Sequence, residues 1–440
     1  MPYTNAKQVS LCKQDVNILI ISPYYFPNIN PRPYRWTRIA EYLASQGHRV
    51  TVVCEKQPGY SDKETLNGVV VRRIGSAALK SLVYKNSRGV VENSGERLGE
   101  KLGTLINRII VKKLYFPDDS FIWYYAGKRE AEKVIIEEKT DVLISSSLPF
   151  TAHLIGLNLK KKYPHLLWIA DSGDPFSLQT EAPLNNHFLY GRLNRYFERQ
   201  ILNKADYVTV TCEQTHRKYI ESYPETALKH RVIPPLSSSV EKTDLHTVEM
   251  IVGEAAEDKI RMAYFGKFYE KIRPAQLLTN FLVKLFMQKP EMKERLEIHI
   301  FGDIFPEFRA ELKRFPQLRL HGLIPREQVF LMMQKMDLLV NISNITDYQL
   351  PSKAPDYLNS GKAILNIFTT EEDEFKKFFS SYPAIQHYQS GTTIDAEVLN
   401  FIEDARNTQV DPGWIRKEAA KYSVENIAKE YEKLFTEDWK

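Results

Sequence analysis

Short apolar runs, each followed by a loop rich in Gly, Pro or Ser and then by a segment of helical period, recur along the chain. They include NILIIS (Asn17 to Ser22), VTVVCE before Lys56, DVLISSS from Asp141 and LWIAD from Leu167. RMAYFG before Lys267, EIHIFGD (Glu297 to Asp303), LRLHGLIP (Leu318 to Pro325), DLLVNI from Asp337 and AILNI from Ala363 continue the series. Strands apolar at nearly every position are covered on both faces, as in parallel sheets flanked by helices. The first unit is typical: strand, Pro-rich loop PYYFPNINPRP, helical YRWTRIAEYLASQGH ended by Gly47, then the next strand. The pattern predicts an α/β fold of doubly wound, Rossmann-like units.

Asp337 to Leu365, DLLVNISNITDYQLPSKAPDYLNSGKAIL, carries the densest chemistry. A buried strand gives way to a polar loop, and Pro351 and Ser352 then open a helix. Its free amides at Ser352, Lys353 and Ala354 would point at an anion, with the charge of Lys353 added and Asp356 facing the same cleft one turn on. Gly361 ends that helix. On spacing alone, an ordinary capped helix between two strands stays equally open. A second cation cluster follows the strand ending at Gly266: Lys267, Lys271 and Arg273 precede a helix starting near Pro274, a placement suited to neutralising a leaving diphosphate.

These residues carry a resemblance. The reading "LPSK, two residues, acidic-Tyr-Leu, small, Ser-Gly-Lys" resembles the donor-site signature of GT-B glycosyltransferases of the family 4 type. Gly266-Lys267 with the following Arg273-Pro274, Ser-Ser-x-Pro-x-x-Ala-His over Ser146 to His153, and "W-x-A-D-x-x-D-P" over Trp168 to Pro175 are similar to further segments of that family. The resemblance implies a GT-B architecture, two Rossmann-like domains facing across a cleft. It places an acceptor-binding domain over 1–240, a linker over 241–258, a nucleotide-sugar domain over 259–422 and a helix over 423–440 that returns to the first domain. It further implies a retaining transfer from a nucleotide sugar (UDP- or GDP-linked), without metal or cofactor, to a saccharide or lipid-linked acceptor in bacterial surface polysaccharide assembly. Lys267, Arg273, Asp174 and His153 would be catalytic. Gly266, Gly302, Gly322, Leu323, Ile324, Ser352, Lys353, Ala354 and Asp356 would hold the donor, Asp356 at the ribose hydroxyls. Arg35, Ser147 and Asp171 would lie on the acceptor side, with Arg32 and Arg35 in reach of phosphate. The better-known family pattern has Glu, seven residues, Glu, whereas this chain has Tyr348 and then Asp356. A non-catalytic nucleotide-sugar-binding or scaffold subunit, or an epimerase on the same fold, are the alternatives.

Composition adds limits. With 440 residues, 43% hydrophobic and 26% charged, the chain suits two globular domains of roughly 200 residues. Cys12, Cys54 and Cys212 have no metal or redox spacing, so reduced thiols are expected. No apolar run approaches the ~20 residues of a membrane span, and a cytoplasmic location is expected. Up to Pro235 there are 33 Lys plus Arg against 23 Asp plus Glu, a balance of +10; the remainder stands at 27 against 32, or −5. Within the basic half, Glu96 to Tyr115 has an apolar stripe flanked by Lys and Arg. It reads either as an interfacial helix on anionic membrane or as a core-packed amphipathic helix. No nucleic-acid partner is expected, and oligomeric state is not legible.

Overall fold

The computed structural model describes residues 15–28, 30–75, 114–238, 251–253 and 256–436. The amphipathic stretch 96–113, most of the linker 241–258, Cys12 and residues 437–440 lie outside them.

The first sheet contains β1 (Asn17–Ile21), β2 (Arg49–Glu55), β3 (Lys63–Leu66), β4 (Val69–Ile74), β5 (Val142–Ser147), β6 (Leu167–Ser172), β7 (Tyr207–Val210) and β8 (His230–Val232). Its order is β3-β4-β2-β1-β5-β6-β7-β8, parallel except for the β3–β4 pair. The second sheet contains β9 (Ile260–Phe265), β10 (Leu296–Phe301), β11 (Leu318–Gly322), β12 (Leu338–Ile342), β13 (Ala363–Phe368) and β14 (Ile385–Gln389). Its order is β11-β10-β9-β12-β13-β14, all parallel.

The continuous apolar runs are explained by burial on both faces. In β1, Ile18 and Ile20 enter one hydrophobic layer while Leu19 and Ile21 enter the opposite one. In β12, Leu338, Val340 and Ile342 face one layer and Leu339 the other. Each such side chain contributes about 1.5–3 kcal/mol on burial. The strand order reverses between β1 and β5 in the first sheet and between β9 and β12 in the second, so a crevice opens beyond the strands' carboxyl ends in each. The two crevices face each other.

Helix Val424–Thr436 joins the first sheet's layer rather than the second's. Ile427, Ala428, Tyr431, Leu434 and Phe435 recur at helical spacing and pack with Trp36, Ile39 and Leu43 of helix Pro31–Ser45. The Trp36 and Tyr431 rings meet at 4.9 Å. The hairpin β3–β4 and the edge strand β14 were not legible in the apolar pattern, because KETL and IQHYQ keep few fully buried positions.

Candidate active site

One cleft of about 720 Å³ lies between the sheets and takes its walls from both. The second sheet supplies Gly266, Lys267 and Arg273 after β9, Gly302 after β10, Leu323 and Ile324 after β11, and Ser352, Lys353 and Ala354 after β12. The first contributes Arg32 and Arg35 from helix Pro31–Ser45, and Leu148, Gly173, Asp174 and Gln179 after β5 and β6. Lys267, Arg273 and Lys353 therefore share one cavity.

Each cation is held differently. Lys267 Nζ lies 3.3 Å from Asp303 Oδ2, with both side chains about as exposed as buried. Arg273 donates through Nε (3.0 Å) and Nη2 (2.6 Å) to Asn344 Oδ1, and through Nη1 (3.2 Å) to Tyr264 OH. Asn344 in turn donates to Gln349 Oε1 at 2.7 Å. Burial holds the Lys353 ammonium down at about 8, helped by the nearby charge of Arg326 and opposed by Asp356. A neighbouring anion would relieve both penalties. Asp174 is shifted the other way: burial raises its carboxyl, while Arg32 and a hydrogen bond from Gln349 offset part of that rise.

The loops after β9 and β10 approach each other closely because glycine stands at their contact point. Gly302 has φ +140°, and a Cβ there would fall 2.0 Å from the Gly266 carbonyl oxygen. Gly322 accepts the Gly302 amide at 2.8 Å but is not in the cleft wall itself.

Several expected positions differ. The helix after β12 starts at Ala354, not Ser352, and runs only to Ser360. The Ala354 amide already donates to Pro351 O at 3.0 Å, leaving it unavailable to an anion. Asp356 does not face the cleft: its carboxylate accepts from Ser238 N (2.5 Å) and Oγ (3.2 Å), with Arg326 Nη2 at 3.8 Å. It ties the end of the first domain to the second. Arg35 is likewise engaged, donating to Pro234 O (2.6 Å), Ile233 O (3.0 Å) and Tyr431 OH (3.0 Å) rather than reaching toward phosphate.

Asp171 is a buried hub. It accepts from Arg32 Nη1, Trp36 Nε1 and Thr209 Oγ1 at 2.7 Å each, and from Tyr431 OH at 2.8 Å. Burial would raise its pKa, but Arg32, Arg35 and these bonds outweigh it and hold it below the usual range. Ser147 is buried at the end of β5, outside the cleft wall. His153 is buried too, with Nδ1 2.7 Å from Ser145 Oγ and Nε2 3.0 Å from Ser172 Oγ. Burial pushes it down to about 3, so the ring is neutral and packs between β5 and β6.

The residues unread in the sequence are Arg326, Tyr264, Asn344 and Gln349. Arg326 lies in the cleft wall with its guanidinium 4.0 Å from the Tyr34 ring, and donates from Nε to Ser238 Oγ at 3.1 Å. A cation just past LRLHGLIP was the available signal for it; the three neutral polar residues had none. Among the described residues, no group of three or more His, Cys, Asp or Glu is placed to hold a metal ion, and no helix is long and apolar enough to cross a membrane.

Comparison with known proteins bears on the fold. Residues 35–236 match the sequence model of Glycosyltransferase Family 4. Among solved structures, a sucrose-phosphate synthase from Thermosynechococcus elongatus superposes with a TM-score of 0.64 at 15% identity, covering 96% of this chain and 99% of that one. Anabaena HepE, in complex with UDP and glucose, gives 0.59 at 12%, with 95% and 99% covered. An α,α-trehalose-phosphate synthase (UDP-forming) from Burkholderia xenovorans, in complex with glucose-6-phosphate, gives 0.63 at 9%, with 95% and 99% covered. No curated protein sequence matches the chain.

Proposed function

We propose that the chain, whose residues 35–236 match the Glycosyltransferase Family 4 model and whose fold is that of GT-B glycosyltransferases, moves a sugar from a UDP- or GDP-linked donor to a saccharide or lipid-linked acceptor, with retention and without metal. The observation that carries this reading is the convergence of Lys267, Arg273 and Lys353 on one cleft that the first domain closes.

In this reading the C1–O bond to the diphosphate breaks as a bond from the acceptor oxygen to C1 forms. The acceptor proton passes to the departing phosphate oxygen. Negative charge grows on the diphosphate, and three preorganised cations stabilise it more in the transition state than in the bound donor. That is the charge a divalent ion would otherwise supply. Lys353, already short of counter-charge, gains most from the anion. Gly266 and Gly302 allow the backbone to approach the donor, and Leu323 and Ile324 border its base. The UDP of HepE and the UDP-forming activity named for the Burkholderia protein favour a uridine nucleotide.

On the acceptor side, Asp174, whose carboxyl is raised by burial, orients the attacking hydroxyl by hydrogen bonding. Asp171, Arg32 and Arg35 fix the wall behind it. His153 acts at one remove, holding Ser145 of β5 to Ser172 of β6 just before the segment that bears Asp174. The lipid-linked acceptor of surface polysaccharide assembly is suggested by the basic balance of the first half.

Incubation with UDP-, GDP- and ADP-sugars and pooled lipid-linked or free saccharide acceptors tests the proposal. Transfer from one donor is expected, and donor incubated alone should give no isomer. Intact nucleotide binding with no transfer to any acceptor would count against it.

A further inference from the structure

Helix His187–Lys204 has a buried face and an exposed one. Asn194, Glu198, Ile201 and Leu202 face inward, where Glu198 accepts from the Phe176 (2.7 Å) and Ser177 (3.0 Å) amides. The outward face is not polar as a solvated helix face ordinarily is. Phe188 is 95% exposed, Leu189 52%, Leu193 39% and Tyr196 56%. Arg192 and Arg195 stand between them, also exposed, and none of the described residues forms an ion pair with either. Arg199, next on this face, is paired with Glu225 at 2.7 Å. Leu114, 57% exposed, extends the apolar surface, and its carbonyl accepts from Tyr190 OH at 2.7 Å.

Apolar side chains interleaved with arginines that no described acid neutralises suit a lipid surface better than a protein partner. A protein interface concentrates its apolar residues in a core and its charges in a rim. An interfacial helix instead sets Phe and Leu at acyl depth while Arg reaches the phosphates beside them. Position supports the same occupant. Asn186 caps this helix by accepting from the Leu189 amide at 3.3 Å, and Ala182 and Leu184, just before it, line the cleft. A bilayer on this face would lie at the mouth of the acceptor side.

We propose that the face formed by Phe188, Leu189, Leu193 and Tyr196 with Arg192 and Arg195 docks on an anionic phospholipid bilayer. Docking does not require that the sugar-transfer reading be correct.

Flotation of the full chain with vesicles of equal parts phosphatidylcholine and phosphatidylglycerol, against pure phosphatidylcholine, tests it. The protein should bind the mixed vesicles on the order of tenfold more tightly, and the difference should shrink with salt. Phe188→Ser with Leu193→Ser, and separately Arg192→Glu with Arg195→Glu, should each weaken binding on the order of tenfold or more. Melting temperature and UDP affinity should not change. Equal partition onto both vesicles, or wild-type binding by both double variants, overturns the proposal. So does a wild-type dimer that Phe188→Ser with Leu193→Ser converts to monomer, which would make this face a contact between two copies of the chain.

Discussion

Asn344 Oδ1 accepts from both Nε and Nη2 of Arg273, at 3.0 and 2.6 Å. A neutral amide oxygen held this way orients the guanidinium without neutralising it, leaving its charge available to a diphosphate. A carboxylate in the same place would compete. Asn344→Asp is expected to weaken UDP or GDP affinity on the order of tenfold while leaving the melting temperature equal or higher. Calorimetry checks it, and unchanged affinity would separate Arg273 from the nucleotide.

Tyr348 stands where the family pattern has its first acid, yet its side chain is turned to the first domain. Its hydroxyl donates to Glu181 Oε2 at 3.1 Å, Lys218 Nζ lies 3.5 Å from its ring centroid, and its carbonyl accepts from Thr215 Oγ1 at 2.5 Å. Restoring an acid here should not restore a sugar contact. Tyr348→Glu sets two carboxylates together and is expected to cost about 1–3 kcal/mol, read by thermal unfolding. Tyr348→Phe, which loses only the bond to Glu181, should cost about 1 kcal/mol.

Gly302→Ala forces a Cβ against the Gly266 backbone at a φ of +140°. The expected loss is about 3 kcal/mol or more in urea unfolding, with nucleotide binding lost as the two loops part. Gly391 also has positive φ, +98°, but nothing lies within 4 Å of its added Cβ, so Gly391→Ala should cost only about 1 kcal/mol.

His153 titrates at about 3 in the folded chain, against an ordinary value near 6.5. Between those values the unfolded chain holds the extra proton, so stability is full above 6.5 and declines as pH falls toward 3. The His153→Gln variant is expected to melt lower at pH 8, by about 1–2 kcal/mol for the disturbed Ser145 and Ser172 bonds, yet to lose less on acidification. Melting curves from pH 8 to pH 4 distinguish this from a group already charged in the fold.

What was legible follows from what is local. β1, β12 and β13 could be read because burial on both faces leaves an unbroken apolar run; that Lys267 and Arg273 would share a cleft with Lys353 could be read because the first two follow a strand end and the third precedes a helix, each a local signal. β3 was not, since Lys63–Leu66 is an edge with little buried surface. Asp356 misled because its partner, Ser238, is 118 residues away and its helix register gives no sign of it. Arg35 misled in the same way, through Ile233, Pro234 and Tyr431. Asn344 and Gln349 sit in a polar loop without periodicity, so only the folded contact with Arg273 and Asp174 sets them apart.

Titration calorimetry of UDP and GDP decides whether Arg273 and Lys353 meet the diphosphate of the donor. The wild type should bind one of them at pH 7 and lose affinity as pH rises through about 8, where Lys353 gives up its proton. Arg273→Ala and Lys353→Ala should each weaken binding on the order of tenfold or more, with the loss above pH 8 absent from Lys353→Ala. Undiminished affinity in both variants would contradict the account.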